Sequence, residues 1–166
     1  ADAIVANDPD ADRLAVALQN QEGIWTRLTG DQVGLIFAYY LGTVQTLNSD
    51  NLVANTIVSS SQLRQIADDF GIQYACTLTG FKWLANVGLN HLERTGRPLL
   101  IGYEEALGYS IGGLVQDKDG VSALLLMADI LSHYRSKGVT LWNVLDEIAL
   151  KYGLGFSKGH HGRGSC

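Results

Sequence analysis

The feature that most constrains this chain is a repeated alternation of short β-branched runs with amphipathic helical stripes. Leu52 to Val58 is one such run, and it ends in Ser59-Ser60-Ser61, a natural helix cap. Behind the serines, Leu63, Ile66, Ala67 and Phe70 recur at helical spacing and Gly71 marks the stop. The unit then repeats. Ile72 to Leu78 reads as a strand, Thr79-Gly80 leads into a helix from about Phe81 to Arg94, and Pro98 to Tyr103 reads as a third strand. After a Gly-rich loop, Val121, Leu124, Leu125, Ala128 and Leu131 make one apolar helix. After Gly138 a second carries Leu141, Val144, Leu145, Ile148 and Tyr152, and both are expected to face the core. Strands linked through helices predict an α/β fold, a mainly parallel β-sheet covered by helices, with ligand-contacting loops at the carboxyl ends of the strands.

The first residues follow another pattern. Ile4 to Ala6, Leu14 to Leu18 and a run near Ile24 to Leu28, the last after the turn Asn20-Gln21-Glu22-Gly23, predict a short β-meander. At Thr29-Gly30-Asp31 the period becomes helical, with Val33, Ile36, Phe37, Tyr40 and Leu41 behind an Asp or Thr cap and Gly42 as the expected stop. A boundary near Thr29 divides the chain into strands of a neighbouring domain (1–28), an α/β domain (29–152) and a tail (153–166). Residue 1 falls inside a strand pattern without a start methionine, so the expectation is a piece excised from something larger. The tail, with its glycines and His160-His161, is expected to be flexible and reads as a tag remnant.

Composition removes several classes of function. With 46% hydrophobic and 17% charged residues in 166, the chain can bury a core. A net charge of −5 without a Lys/Arg cluster argues against nucleic acid as a partner. No membrane is implied, because the longest apolar stretch, Leu124 to Leu131, is interrupted by Asp129 and falls far short of the ~20 residues a spanning helix needs. Cys76 and Cys166 show no C-x-x-C spacing, so neither a disulfide framework nor a zinc site is expected, Cys76 fills core, and a reducing cytoplasm is the default.

Four loops could carry chemistry. In Asp8-Pro9-Asp10-Ala11-Asp12-Arg13, three alternating carboxylates between apolar strands need a counter-charge. Local Asx turns with Arg13 as the neutralising charge are one reading, and a hard cation is the other. A calcium EF-hand wants Gly at its sixth position and a carboxylate at its twelfth; counted from Asp8 these hold Arg13 and Gln19, so a small octahedral ion, Mg²⁺, fits better. Thr79-Gly80-Phe81-Lys82 is a strand-to-helix turn where Gly80 allows close approach and Lys82 could face an anion, or simply be solvated. Glu104 and Glu105 leave a buried strand for a loop fenced by Gly102 and Gly108, and carboxylates are the usual acceptors for sugar hydroxyls. In Asp117-Lys118-Asp119-Gly120 an N-cap and an anion-facing lysine are compatible readings. His91 reads as a packed histidine rather than a base.

Together these stretches resemble the α-D-phosphohexomutases, the phosphoglucomutase/phosphomannomutase family, in the family's order and at about its spacing. Asp8 to Arg13 resembles the D-G-D-x-D-R metal loop, with Pro9 for the usual Gly. Thr79 to Lys82 is similar to a T-G-[FWY]-K sugar-contacting loop. Glu104 to Tyr109 resembles the E-E-A-x-G-Y form of the sugar-binding loop, with Ala106 where many members have Ser, and Lys118 to Gly120 matches K-D-G. The resemblance runs from residue 8 to residue 120 and implies Mg²⁺ on Asp8, Asp10 and Asp12. It places Arg13 and Lys118 in catalytic positions at the phosphoryl group, and Gly80, Phe81, Lys82, Glu104 and Glu105 on a hexose phosphate. It also implies a glucose 1,6-bisphosphate-type activator, and the missing domains of the parent chain as partners. No T-A-S-H-N-P-like phosphoserine loop and no R-x-S-G-T-like phosphate loop is present. The expectation is therefore the end of domain two plus domain three of such a mutase, inactive alone. The alternative is a non-catalytic sugar-phosphate-binding or protein-interaction module.

Overall fold

The computed structural model describes residues 2–153; the tail, including His160-His161, lies outside them. Three antiparallel strands open the chain: β1 (Ile4–Asn7), β2 (Leu14–Gln19) and β3 (Trp25–Arg27), in the order β1-β2-β3. Then come α1 (Gly30–Val44), β4 (Leu52–Thr56), α2 (Gln62–Asp69), β5 (Gln73–Thr77), α3 (Phe81–Thr95), β6 (Ile101–Glu104), β7 (Gly108–Ile111), α4 (Gly120–Ser136) and α5 (Leu141–Tyr152). The second sheet has the order β5-β4-β6-β7. β4 pairs parallel with β5 and β6, and β7 returns antiparallel beside β6. This is the expected α/β fold with a meander before it.

β4 sits between two helical layers, which is why every residue of Leu-Val-Ala-Asn-Thr is buried. Leu52 and Ala54 point toward α3 and pack with Phe81, Leu84 and Leu99. Val53, Ile101 and Tyr103 face the larger core with α1, α2, α4 and α5. The meander joins that same core: Leu14, Val16 and Leu18 of β2 are at most 4% exposed, and the Trp142 indole N–H donates to the Gln19 carbonyl at 2.8 Å.

Several local expectations are corrected. Gly42 does not end α1; it lies within the helix, at a point where any side chain would strike the Phe70 ring. Of the two caps expected, Thr29 is the one used, in a reciprocal box with Gln32, so Asp31 is released for another contact. Ser61 makes no side-chain cap bond for α2. The Gly-rich loop after β6 holds an unforeseen strand, β7. On α4, Val121 and Leu125 are 62% and 71% exposed, while Ala123, Met127, Ile130 and Tyr134 form the buried stripe. Leucines surround this helix, so their positions alone could not fix its inner face. Cys76 is half-buried on β5 and disulfide-bonded, against the expectation of a core-filling thiol.

Candidate functional site

The four loops singled out in the sequence meet at one rim, the carboxyl end of the second sheet. The acidic loop turns on Ala11, whose φ of 57° is unusual for a side-chain-bearing residue, and closes with the Ala11 N–H donating to the Asp8 carbonyl at 3.0 Å. The Asp8 carboxylate accepts the Arg13 N–H at 3.2 Å. Desolvation opposes ionisation of Asp8, but hydrogen bonds from the Arg13 backbone and the Asp12 side chain outweigh it and hold its pKa below the ordinary value. Lys118 supplies one positive charge, its Nζ 3.4 Å from Asp12 and 3.1 Å from Asp117. Its pKa is raised: desolvation pulls it down, but the two carboxylates more than compensate.

α4 starts directly beneath this loop. The Gly120 N–H donates to the Ala11 carbonyl at 3.1 Å, and a Cβ at Gly120 would sit 2.5 Å from the Arg13 carbonyl and 2.7 Å from that of Ala11. Asp119 caps the helix by accepting from Val121 and Ser122, so both readings of Asp117 to Gly120 hold: a cap, and a lysine turned to the acidic loop. Lys118 also lies 5.3 Å over the Phe81 ring and fills the space where Gly108 lacks a side chain.

The acidic loop is joined to the paired glutamates by backbone. Arg13 bridges Gly108, and the Leu14 N–H donates to the Leu107 carbonyl at 3.1 Å, with Leu107 at a φ of 67°. The two glutamates diverge, as neighbouring strand-end residues must. Glu104 Oε1 accepts the Gly80 N–H at 2.7 Å and so holds the loop after β5. Glu105 Oε2 accepts from the Thr56 and Ser59 hydroxyls at 3.3 and 3.2 Å and so holds the loop after β4.

Not every selected residue joins. Asp10 is exposed, and among the described residues no group of three or more His, Cys, Asp or Glu could hold a metal ion as they stand. Lys82 is exposed and lies 5.2 Å over its neighbour Trp83. Phe81 is 6% exposed and forms core under Lys118. His91 is buried with Nε2 2.9 Å from the Asp50 carbonyl, as a packed histidine.

The sequence reading missed a polar layer beneath the rim. Asp31 Oδ1 accepts the Ser60 N–H at 2.7 Å, the Tyr103 hydroxyl bonds the same carboxylate, and Asn55 donates to Tyr103 and to the Ser60 carbonyl. Burial raises the Asp31 pKa and nearby Glu105 adds to this, against the lowering by Ser60 and Tyr103. The signal was present as three serines after β4 and an acid in the first turn of α1, but both fit simple caps.

An open α/β domain with acidic, basic and hydroxyl-accepting loops gathered at its strand ends is the class that fold and rim define. The family model for phosphoglucomutase/phosphomannomutase, alpha/beta/alpha domain III, matches residues 29–152. A probable phosphoribomutase of Schizosaccharomyces pombe is 41% identical over 154 residues, covering 90% of this chain and 26% of that protein. A probable phosphomannomutase of Haemophilus influenzae is 40% identical, covering 92% and 30%, and the human phosphopentomutase is 36% identical, covering 95% and 27%. In structure, a Thermus thermophilus protein assigned as a phosphomannomutase superposes with a TM-score of 0.73 at 24% identity, covering 90% of this chain and 31% of that one. The Aspergillus fumigatus N-acetylphosphoglucosamine mutase, crystallised with GlcNAc-6P and magnesium, superposes with a TM-score of 0.62 at 18% identity, covering 90% and 33%. These two structures share the fold. The chain belongs to the phosphoglucomutase/phosphomannomutase family, and it spans 26% to 30% of the length of the curated relatives named here.

Proposed function

We propose that this chain is the metal- and sugar-contacting portion of a phosphosugar mutase, an isomerase that shifts phosphate between two oxygens of one sugar through a phosphoserine and a bisphosphorylated intermediate. The observation that carries this reading is the convergence at one rim: Asp12 on Lys118, Arg13 bridged to Gly108, and Glu104 on Gly80. Glu104 and Glu105 supply acceptors for sugar hydroxyls, while Arg13 and Lys118 supply positive charge for a phosphoryl group. Lys82 would reach the sugar only by leaving Trp83.

The side-chain donors of Asp8, Asp10 and Asp12 are all carboxylate oxygen, which fits Mg²⁺. Asp8 and Asp12 would hold the ion, with Asp10 the third donor on the same loop; bound there, it would act as a Lewis acid on the transferred phosphoryl group. Neither the serine loop nor the distal phosphate loop of the family occurs in these 166 residues, so in this reading the phosphoserine and a bisphosphate activator would act from a longer chain. No described helix is long and apolar enough to cross a membrane.

The hexose phosphate of the first reading has a competitor in a pentose phosphate. Ala106 removes a hydroxyl from the sugar loop, and two of the relatives are named for ribose or pentose phosphates. Titration of the ¹⁵N-labelled chain with glucose 6-phosphate and with ribose 5-phosphate tests both. Shifts centred on Gly80 and on Glu104 to Gly108 are expected, larger for the preferred sugar. A response scattered over α5 or α2, or one reproduced by sulfate, defeats the reading.

A further inference from the structure

Beside the glutamate loop lies a cleft of about 450 Å³ whose walls include Arg13, Arg27, Gly30, Asp31, Glu105 and Leu107. Among the described residues, neither the Arg13 nor the Arg27 guanidinium makes an ion pair, and the same holds for Arg64, Lys82, Arg94, Arg97 and Lys137; what sets Arg13 and Arg27 apart is that both line this one cleft. Glu105 Oε2 is engaged by Thr56 and Ser59, and Asp31 Oδ1 by Ser60, so one oxygen of each carboxylate is held by its own loop and neither group pairs with an arginine.

The backbone of Arg27 is fixed by strand pairing, and its side chain is exposed. Arg27 ends β3 opposite Ala17, and the next residue, Leu28, is fully buried with its N–H donating to the Val16 carbonyl at 2.8 Å. One residue later Thr29 caps the 15-residue helix α1, whose positive end opens on the same cleft. A side chain at Gly30 would strike the Glu105 carbonyl, so helix start and glutamate loop are packed without a gap. The cleft thus pairs unneutralised guanidinium donors with carboxylate acceptors. A simple anion would meet Glu105 and Asp31, and a simple cation would meet Arg13 and Arg27. A molecule with an anionic end and a hydroxylated body satisfies both.

We propose that Arg27 is a phosphate-binding residue of this chain, which with Arg13 grips the phosphate of a sugar phosphomonoester whose hydroxyls face the Glu105 side of the cleft. This rests on the sugar-phosphate reading above and adds to it a residue outside the four loops. Two planar guanidiniums can each hold phosphate oxygens in pairs, which a lysine cannot reproduce.

The test is titration of the chain with glucose 6-phosphate, inorganic phosphate and uncharged glucose, for the wild type, Arg27→Gln, Arg27→Lys, Arg13→Gln and Leu150→Ala, with amide spectra checking each fold. Leu150, 89% exposed on α5, serves as the remote control. Arg27→Gln is expected to weaken glucose 6-phosphate about tenfold, Arg27→Lys less, and to leave the response to glucose unchanged. If Arg27→Gln binds like wild type while Arg13→Gln does not, Arg27 has no such role and the sugar-phosphate reading survives. If wild type responds to none of the three at residues 27–31 and 104–108, both fall. If inorganic phosphate matches glucose 6-phosphate in affinity, the hydroxyl-facing half of the proposal fails.

Discussion

The Glu104 carboxylate accepts the Gly80 N–H at 2.7 Å, so the last residue of β6 holds in place the loop that follows β5. One oxygen is committed to the fold and the other is available to a ligand. Glu104→Gln keeps an oxygen acceptor for Gly80 but removes the charge. Loss of stability should stay within the 0.5–1.5 kcal/mol or so of a neutral hydrogen bond, while affinity for glucose 6-phosphate falls about tenfold, because hydrogen bonds to charged groups contribute roughly 1.5–3 kcal/mol. Thermal melts and ligand titration of the same variant separate the two effects. Should Glu105→Gln be the damaging change and Glu104→Gln silent, the hydroxyl contact belongs to Glu105.

Gly120 provides a packing prediction. Two of the atoms its Cβ would strike are backbone carbonyls, of Arg13 and Ala11, which cannot swing aside as a side chain could. Gly120→Ala should therefore destabilise by about 1–3 kcal/mol, as overpacked sites do, and lower Tm by roughly 2–4 °C for each kcal/mol. Amide shifts from Asp8 to Arg13 should accompany the loss. A variant as stable as wild type would mean that α4 does not hold the acidic loop.

Asp31 makes stability depend on pH in an unusual sense. Burial raises its pKa, so the folded chain binds this proton more tightly than the unfolded one. Its contribution is most favourable below the unfolded value of about 3.9 and is lost as pH rises through the raised folded value. Asn at this position can still accept from Ser60 without carrying a charge. The stability of Asp31→Asn relative to wild type should therefore rise with pH across that window and then level off. Denaturant unfolding at a series of pH values measures the difference, and a difference that falls with pH would contradict the burial argument.

How much of this could be read from residues alone varied with the kind of signal. The β4–α2 and β5–α3 units were legible because β-branched runs, helical stripes and Gly71 agreed with one another. β7 was not, since Gly108 to Ile111 is short and sits among glycines that also suit a loop. At the rim, each of the four loops carried its chemistry in a few adjacent residues. The polar layer of Asp31, Asn55, Ser60 and Tyr103 is spread over 73 positions in sequence, counting from 31 to 103, and only the fold assembles it. Asp10 and Lys82 show the reverse case, where the residue type was suggestive but the side chain is exposed, that of Lys82 lying over Trp83.

Metal binding should be weak and should depend on more than charge. Asp8 and Asp12 belong to one short loop, and Lys118 already pairs with Asp12, so a divalent ion has to displace that ammonium. Titration with Mn²⁺, followed by paramagnetic broadening, should show effects confined to Asp8 to Arg13 and the start of α4. Asp12→Asn should abolish them, and Lys118→Gln should leave the ion a more accessible site. Broadening that persists unchanged in both Asp10→Asn and Asp12→Asn would remove the acidic loop as the metal site.

The final prediction is that these 166 residues fold cooperatively but turn over no sugar phosphate. Folding has what it needs: one large core draws on β2, both faces of the second sheet are covered, and Leu14, Val16 and Leu18 tie the meander to α1 and α4. Phosphoryl transfer asks for something else, a nucleophile in line with the phosphorus and a clamp on the distant phosphate, because positioning and charge stabilisation supply nearly all of the rate. The loops here supply acceptors, cations and carboxylates, and none of them carries a serine placed beside the Asp8 and Asp12 pair. Purified chain with glucose 1-phosphate, Mg²⁺ and a trace of glucose 1,6-bisphosphate, coupled to detection of glucose 6-phosphate, should match a heat-killed control, while the same sample gives a single thermal transition. Turnover above that control would mean that a group within these residues accepts phosphate, and Ser59 or Ser60, at the end of β4 beside Glu105 and Asp31, would be the first to replace by alanine.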